Sequence, residues 1–312
     1  MLKKACLLCT ILFLCTAVQG ADHSQASLLK KAYKKHSTWL LDQFFDNWSN
    51  DVSSNENEAK NKWAAEAHKV FVAFYQPLQL EKIGCENGGR DQWGEDLYKN
   101  VPYFIVQDTL YDIYMTDVPL SPNELETYYI NRINQMYPEE DARKKQLDNL
   151  RKEKENNKMF PVFDMDPVPP LSYSWKIIST TKVDSIISFR PPVHFPNKKI
   201  VYLTPEYKQL LDGFLGHKHV DLGKESIMQV AYSKGESKKR MEFINHAAKT
   251  FYGHWGGYWQ YETYPEATSI VFDSQMQHAV VFFRFVYEGG EVFLEKQNDE
   301  WTIISGRLTW IE

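Results

Sequence analysis

Apolar side chains recur at steps of three and four from Leu29 through Tyr33, His36, Leu40 and Phe44 to Trp48. Such spacing winds one face onto a core and predicts a helix of about 20 residues. A second helix is expected at Trp63, Ala67, Val70 and Phe74, stopped by Pro77. His36 and His68 ride on these faces and are expected to be core or boundary residues rather than ligands. Residues 103–114 are rich in aromatic and β-branched side chains, with Asp108 and Thr109 near the middle, and read as two strands or a hairpin. Ser121-Pro122-Asn123-Glu124 combines a cap, a first-turn proline and a capping-box glutamate, so a helix starts there, with Leu125, Tyr129, Ile133 and Met136 as its buried face. Residues 139–158 are almost wholly polar. Glu139, Glu140 and Asp141 each stand four residues before Arg143, Lys144 and Lys145, a pattern that supports a solvated helix through side-chain pairs.

Eight of the 14 prolines fall between Pro161 and Pro205, and Asp166-Pro167-Val168-Pro169-Pro170 suits neither a helix nor an inner strand. A linker is therefore expected at 159–172, between a helix-rich α+β domain at 21–158 and an α+β domain at 173–312. Beyond it, strands are expected at 173–178, 183–189, 200–203 and 227–232. Thr204-Pro205 opens a helix that buries Tyr207, Leu211 and Phe214 and ends at Gly216. A last helix presents Met241, Ile244, Ala248 and Phe251 and ends at Gly253. Strands at 280–287, 291–296 and 301–311 follow, the last two joined by a polar turn at Asn298-Asp299. Gly289-Gly290 suits a type I′ loop, a register that puts Val286 opposite Phe293 and pairs Arg284 with Glu295. The fold class is α+β: a helical N-terminal region, then a C-terminal antiparallel sheet with packed helices.

The N-terminus changes the picture of where such a protein works. Lys3 and Lys4 precede an apolar run from Ala5 to Val18, and Val18-Gln19-Gly20 stands before Ala21, the order of a secretory signal cut after residue 20. The run is shorter than the roughly 20 residues that span a bilayer. The expected location is periplasmic or extracellular, with a lipid anchor at Cys15 as the lesser alternative because bulky Leu14 precedes it. Cleavage removes two lysines and no acid, so the formal charge moves from -5 to -7. That charge disfavours nucleic acid as a partner. Cys6, Cys9 and Cys15 leave with the leader, and Cys85 alone cannot form an internal disulfide. The core must supply the stability of the remaining chain, which is long enough for one large or two ordinary domains and has no second apolar stretch of transmembrane length.

A helix followed by four long antiparallel strands at 236–312 resembles the second half of an NTF2-like, cystatin-related domain, which implies a sheet curved around a pocket. The phrases Gly253-His254-Trp255-Gly256-Gly257-Tyr258-Trp259, Glu262-Thr263-Tyr264-Pro265 and Phe44-Phe45-Asp46-Asn47-Trp48 resemble an uncharacterised exported family of Bacteroidota. That likeness implies an envelope location and carries no catalytic residue.

Candidate chemistry concentrates at 251–264, where seven of 14 residues are aromatic in a chain that is 14% aromatic overall. Flat rings with polar edges stack on sugars, and Gly253, Gly256 and Gly257 would let backbone come close. Trp255, Tyr258, Trp259 and Tyr261 are the ligand-binding candidates. The alternative is that these rings pack a helix against the sheet. Glu262, Glu266, Asp273, Glu288 and Glu291 could supply a carboxylate pair for glycoside hydrolysis, with His254 as a base, and Glu262, Glu291 and His254 are the catalytic candidates. His217-Lys218-His219 with Asp221 follows Gly216 and reads as a loop, so no metal is expected. Cys85 in a turn is expected to be inert. The chain has no Gly-x-Ser-x-Gly elbow, His-Glu-x-x-His helix, Walker loop or dinucleotide fingerprint, and no cofactor is expected. Three readings stay open: an exported small-ligand or glycan binding or accessory protein, a hydrolase using pocket carboxylates or histidine, and a structural or partner-binding envelope protein without a pocket. Oligomeric state is left open.

Overall fold

The periodic run from Leu29 to Trp48 folds as two helices, not one. In the computed structural model, which describes residues 24–55, 61–85, 97–118, 120, 122–155, 162–164, 177–216, 235–252 and 258–311, helix α1 covers residues 24–34 and α2 covers Thr38–Asp51. His36 breaks the run with φ +47°, where it is exposed rather than part of the buried stripe, and the Ser37 hydroxyl caps α2 by accepting from Leu40 N. Leu40, Leu41, Phe44, Phe45 and Trp48 still face inward. Trp48 stacks on Tyr207 with centroids 4.3 Å apart and planes 4° from parallel, and its indole donates to Tyr202 O at 2.9 Å. Helix α3, Lys62–Phe74, starts on an Asn61 cap and ends before Pro77 as expected, with His68 buried on its inner face.

The strands at 103–114 are two but do not form a hairpin. β1, Tyr103–Gln107, and β2, Thr109–Thr116, part at Asp108 and join different sheets. Next come α4, Pro122–Met136, and the polar α5, Glu140–Glu155, both where their caps and charge spacing put them. Short strands β3, Val162–Asp164, and β4, Ile177–Ser179, pair in parallel. β5, Thr181–Ile187, β6, Lys199–Leu203, and α6, Pro205–Leu215, follow. In α6 every local signal is realised: Thr204 Oγ1 accepts from Tyr207 N, Pro205 opens the first turn, and Gly216 ends the helix at φ +82°.

Helix α7, Glu236–Ile244, stops short of the expected end at Gly253. The Asn245 side chain accepts from both Thr250 N, at 2.8 Å, and Thr250 Oγ1, at 3.0 Å, folding the chain back so that Phe251 enters a strand. That strand, β7 at Phe251–Tyr252, pairs with β8, Trp259–Gln260. The four final strands are β9, Glu266–Asp273, β10, His278–Phe285, β11, Glu288–Gln297, and β12, Glu300–Ile311.

The six-stranded sheet runs β12-β11-β10-β9-β2-β5, antiparallel except where β2 lies parallel to β9. Strands from both sides of the expected 159–172 linker thus share one sheet, and one hydrophobic core runs from Leu29 to Trp301, so the boundary does not separate two cores. The chain is α+β. No helix of the described residues is long and apolar enough to cross a membrane.

The β10–β11 register also differs from the expectation. The loop is Val286-Tyr287, with Phe285 opposite Glu288, and Gly289 and Gly290 lie inside β11. Arg284 therefore faces Gly289, not Glu295, and Val280 rather than Val286 faces Phe293. Gly290 is a glycine for closeness: a Cβ there would lie 2.2 Å from Arg307 O and 2.7 Å from Phe283 Cζ. The loop with two positive φ angles is Asn298-Asp299, at +51° and +68°, joining β11 to β12. The leader, the middle of the proline-rich stretch, the strand expected at 227–232, His217 to Asp221, His254 and Trp255 lie outside the described residues.

Candidate functional site

The segment from Tyr258 to Ala267 crosses from β8 into β9 and is pinned on both sides. Thr263 N donates to Ile105 O at 2.7 Å, Ile105 N returns a bond to Thr263 Oγ1 at 2.9 Å, and the Tyr75 hydroxyl donates to Thr263 O at 2.9 Å. Tyr264 N donates to the Tyr98 hydroxyl at 3.1 Å, and the Tyr264-Pro265 peptide is cis. The Gln107 amide exchanges bonds with Ala267 N and Ala267 O at 2.6 and 2.8 Å. Buried backbone groups need partners, and here the β1 backbone and the Tyr75, Tyr98 and Gln107 side chains supply them.

This pinning brings Glu262 and Glu266 within electrostatic reach of each other and sets Glu266 directly opposite Arg284 on β10. Arg284 Nε donates to Val286 O and Nη2 to the Tyr258 hydroxyl, both at 2.9 Å, with the guanidinium 5.9 Å from the Tyr258 ring centre. Gln260 Nε2 reaches the same two acceptors at 3.4 and 3.5 Å, while its Oε1, on a side chain only 4% exposed, has no hydrogen-bond partner among the described residues. Glu262, Glu266, Arg284 and Tyr258 are each half-buried, so the cluster meets solvent.

Burial, and then the charge of Glu262, push the Glu266 carboxyl up to about 8, with Arg284 and Lys208 pulling the other way. Near neutral pH, Glu266 is thus largely a neutral acid that can donate as well as accept a hydrogen bond. Below the cluster, the Tyr261 hydroxyl donates to Asp212 Oδ1 at 2.6 Å, and Lys208 sits 5.5 Å from the Tyr261 ring centre. Burial and the Asp212 carboxylate together raise the Tyr261 phenol far above its ordinary range, so it stays a donor.

Comparison with family models, curated proteins and solved structures finds no match. The site therefore stands on its own geometry.

Of the aromatic candidates, Trp259 is 4% exposed, edge-to-face on Tyr252 with centroids 4.7 Å apart, and Tyr261 is fully buried. Both are core side chains with no ring face open to a ligand, which corrects their expected role, and Tyr258 is the one described candidate ring at the cluster. Glu291 is corrected as well. It is 3% exposed, and its Oε1 accepts from Arg307 Nε at 2.9 Å and Nη2 at 2.6 Å across the β11–β12 ladder. That places it two strands from Glu266, a lateral separation of about 10 Å. Burial raises its carboxyl and Arg307 opposes the rise.

Asp273 closes the turn at the far end of β9, accepting from Gln277 N at 2.8 Å and contacting His278 Nδ1 at 2.9 Å. Burial pushes the Cys85 thiol up to about 12 and leaves it a poor nucleophile. No cluster of three or more histidine, cysteine or acidic side chains suited to a metal occurs among the described residues. Arg284, Gln260, Lys208 and Asp212 were not visible as site residues in the sequence. Glu262 and Glu266 stood in the sequence only as two of five acids that could supply a carboxylate pair, and their spacing did not single them out.

Proposed function

We propose that the chain is an exported small-ligand binding or accessory protein of the cell envelope, with its site at Glu262, Glu266, Arg284, Tyr258 and Gln260. The export reading rests on the basic, apolar and small-residue order of residues 1–20. One observation carries the site: two carboxyl groups share a half-buried cluster with a guanidinium, where burial and the neighbouring Glu262 raise the Glu266 carboxyl. Perturbed acids beside a specific charge partner concentrate at binding and catalytic sites. A glycan suits the chemistry, since hydroxyls donate to carboxylates and accept from guanidinium while a tyrosine ring offers a stacking face.

Calorimetric titration of the mature chain with a panel of oligosaccharides tests this reading. Binding that weakens at least tenfold in Glu262→Gln and Glu266→Gln supports it. Failure of every member to bind, or binding unmoved by both substitutions, overturns it.

The same acid favours a second reading, a hydrolase in which Glu266 is the proton donor and Glu262 the second carboxylate. Release of phenol from aryl glycosides by the wild type, lost in Glu266→Gln and falling as pH rises past about 8, is its expected signature. No turnover of such substrates by the wild type removes it.

A further inference from the structure

We infer that helix α1 docks on an anionic membrane surface through Lys30, Lys31, Lys34 and Lys35, with Trp39 at the rim of the contact. Such docking lies outside the small-ligand site and rests only on the export reading, which puts the chain beside a membrane.

The 16 residues from Ser24 to Trp39 hold four lysines and no acid, in a chain with 41 acidic and 36 basic residues. Lys35 N still donates to Lys31 O at 3.1 Å, so helical spacing extends through all four. At 3.6 residues per turn they cover an arc of about 140°, on the far side from Leu29 and Ala32, which are fully buried. All four are exposed, and none of their side chains has a hydrogen bond or ion pair among the described residues.

The chain neutralises its other solvated helix and leaves this one charged. In α5, Glu139, Glu140 and Asp141 stand four residues before Arg143, Lys144 and Lys145, a spacing at which opposite charges support a helix. In α1, Lys30 stands four before Lys34 and Lys31 four before Lys35, and like charges at that spacing weaken one. The helix C-terminus favours Lys34 and Lys35, but Lys30 and Lys31 lie a turn earlier, where that field has faded. Packing holds α1 in their place: the Tyr33 ring meets Phe214 and Phe243 edge-on, at 5.8 and 5.5 Å. On that flank Glu236 reaches the Tyr33 hydroxyl, yet Arg240 pairs with Glu236 at 3.3 Å, so the neighbouring helix does not cancel the positive face.

Phosphate-bearing lipid headgroups are the partner that this corner fits. Trp39 is 64% exposed in the first turn of α2, and four residues of chain hold its Cα within about 14 Å of that of Lys35. Tryptophan settles at the headgroup level of a bilayer. The apolar run of the export signal ends at Val18, 12 residues ahead of Lys30, so α1 emerges next to the membrane that the leader enters. Each lysine near an anionic leaflet strengthens partitioning by about fivefold. The apolar face of α1 is taken up by the core, so the contact is peripheral and sensitive to salt.

The experiment is sedimentation of the leader-free chain, residues 21–312, with vesicles of equal parts phosphatidylcholine and phosphatidylglycerol, and with vesicles of phosphatidylcholine alone. Partitioning at least tenfold stronger to the anionic vesicles, and weakened by raised salt, is expected. Lys30→Gln, Lys31→Gln, Lys34→Gln and Lys35→Gln together should remove it without lowering the thermal unfolding temperature, because they delete like-charge pairs. The same charge change on α5, by Lys144→Gln, Lys145→Gln, Arg151→Gln and Lys152→Gln, should leave most of it. Equal partitioning to both vesicles, or a loss of the same size in the α1 and α5 variants, overturns the inference. Tighter binding of heparin than of anionic vesicles, lost in the α1 variant, assigns the face to a soluble polyanion and overturns it too. No sugar enters the measurement, so either failure leaves the small-ligand site standing.

Discussion

Glu266 stands directly opposite Arg284 on the β9–β10 ladder, yet its carboxyl is pushed up to about 8. Burial and the neighbouring Glu262 outweigh the guanidinium, which is itself engaged by Val286 O and the Tyr258 hydroxyl. The folded chain therefore holds a proton that an unfolded chain releases at the ordinary carboxylate value near 4.5. Stability from this group is complete below that value and is lost as pH rises toward 8. Urea denaturation at pH 5.5 and 8.5 should show a loss on the order of 2 kcal/mol after allowance for partial exposure. Glu266→Gln should flatten the difference.

His68 works in the opposite direction. Buried on α3 with its ring edge-on to Phe189 at 4.8 Å, it is held down to about 4 by desolvation. An unfolded imidazole takes a proton from about 6.5 downward. The folded state refuses that proton, so stability falls as pH drops from about 6.5 toward 4. His68→Leu should reduce this acid sensitivity in thermal unfolding between pH 6.5 and 4.5.

Arg307 neutralises the buried Glu291 through two hydrogen bonds to one oxygen. Arg307→Ala leaves that carboxyl buried without its partner and should cost about 3 kcal/mol in denaturant unfolding. Replacing both residues by apolar side chains of similar volume should recover much of the loss.

Gly290 is expected to reject even a methyl group. Gly290→Ala drives a Cβ into Arg307 O and the Phe283 ring, so the β11–β12 ladder must shift. A loss of about 2 kcal/mol in unfolding free energy is expected from such overpacking. The neighbouring Gly289→Ala serves as a comparison.

Cys85, buried and pushed up to about 12, should label slowly with a thiol reagent in the native chain at pH 8 and rapidly in urea. Fast native labelling would show that this part of the core opens.

Elements whose start and stop signals are local were legible in the sequence. Thr204, Pro205 and Gly216 bound α6, and α3 ends just before Pro77, both as the sequence indicates. Errors arose where a specific tertiary or side-chain contact outranked a spacing or turn preference. Gly289-Gly290 is a good hairpin loop by chemistry, but Phe283 and Arg307 require the glycine within the strand. The apolar spacing of Met241, Ile244, Ala248 and Phe251 continues a helix on paper, while the Asn245 side chain captures Thr250 and ends it. The site was least legible of all. Glu266 acquires its character from burial and from Glu262, against the pull of Arg284 and Lys208, through a β9–β10 pairing that the sequence did not announce, and Trp259 and Tyr261 were drawn inward by the same core that their aromatic density announced.

The parallel seating of β2 beside β9 has a kinetic consequence. Asp112 must wait for Ser269, and Thr116 for Asp273, more than 150 residues later in the chain. Sheets closed by such remote partners form slowly, because the intervening loop entropy is spent before the ladder returns it. Until residues 266–273 arrive, β2 has one flank without its ladder neighbour, a strand edge able to pair with another unfinished copy. A fragment ending before β9 should therefore self-associate, whereas the full chain closes that flank from within.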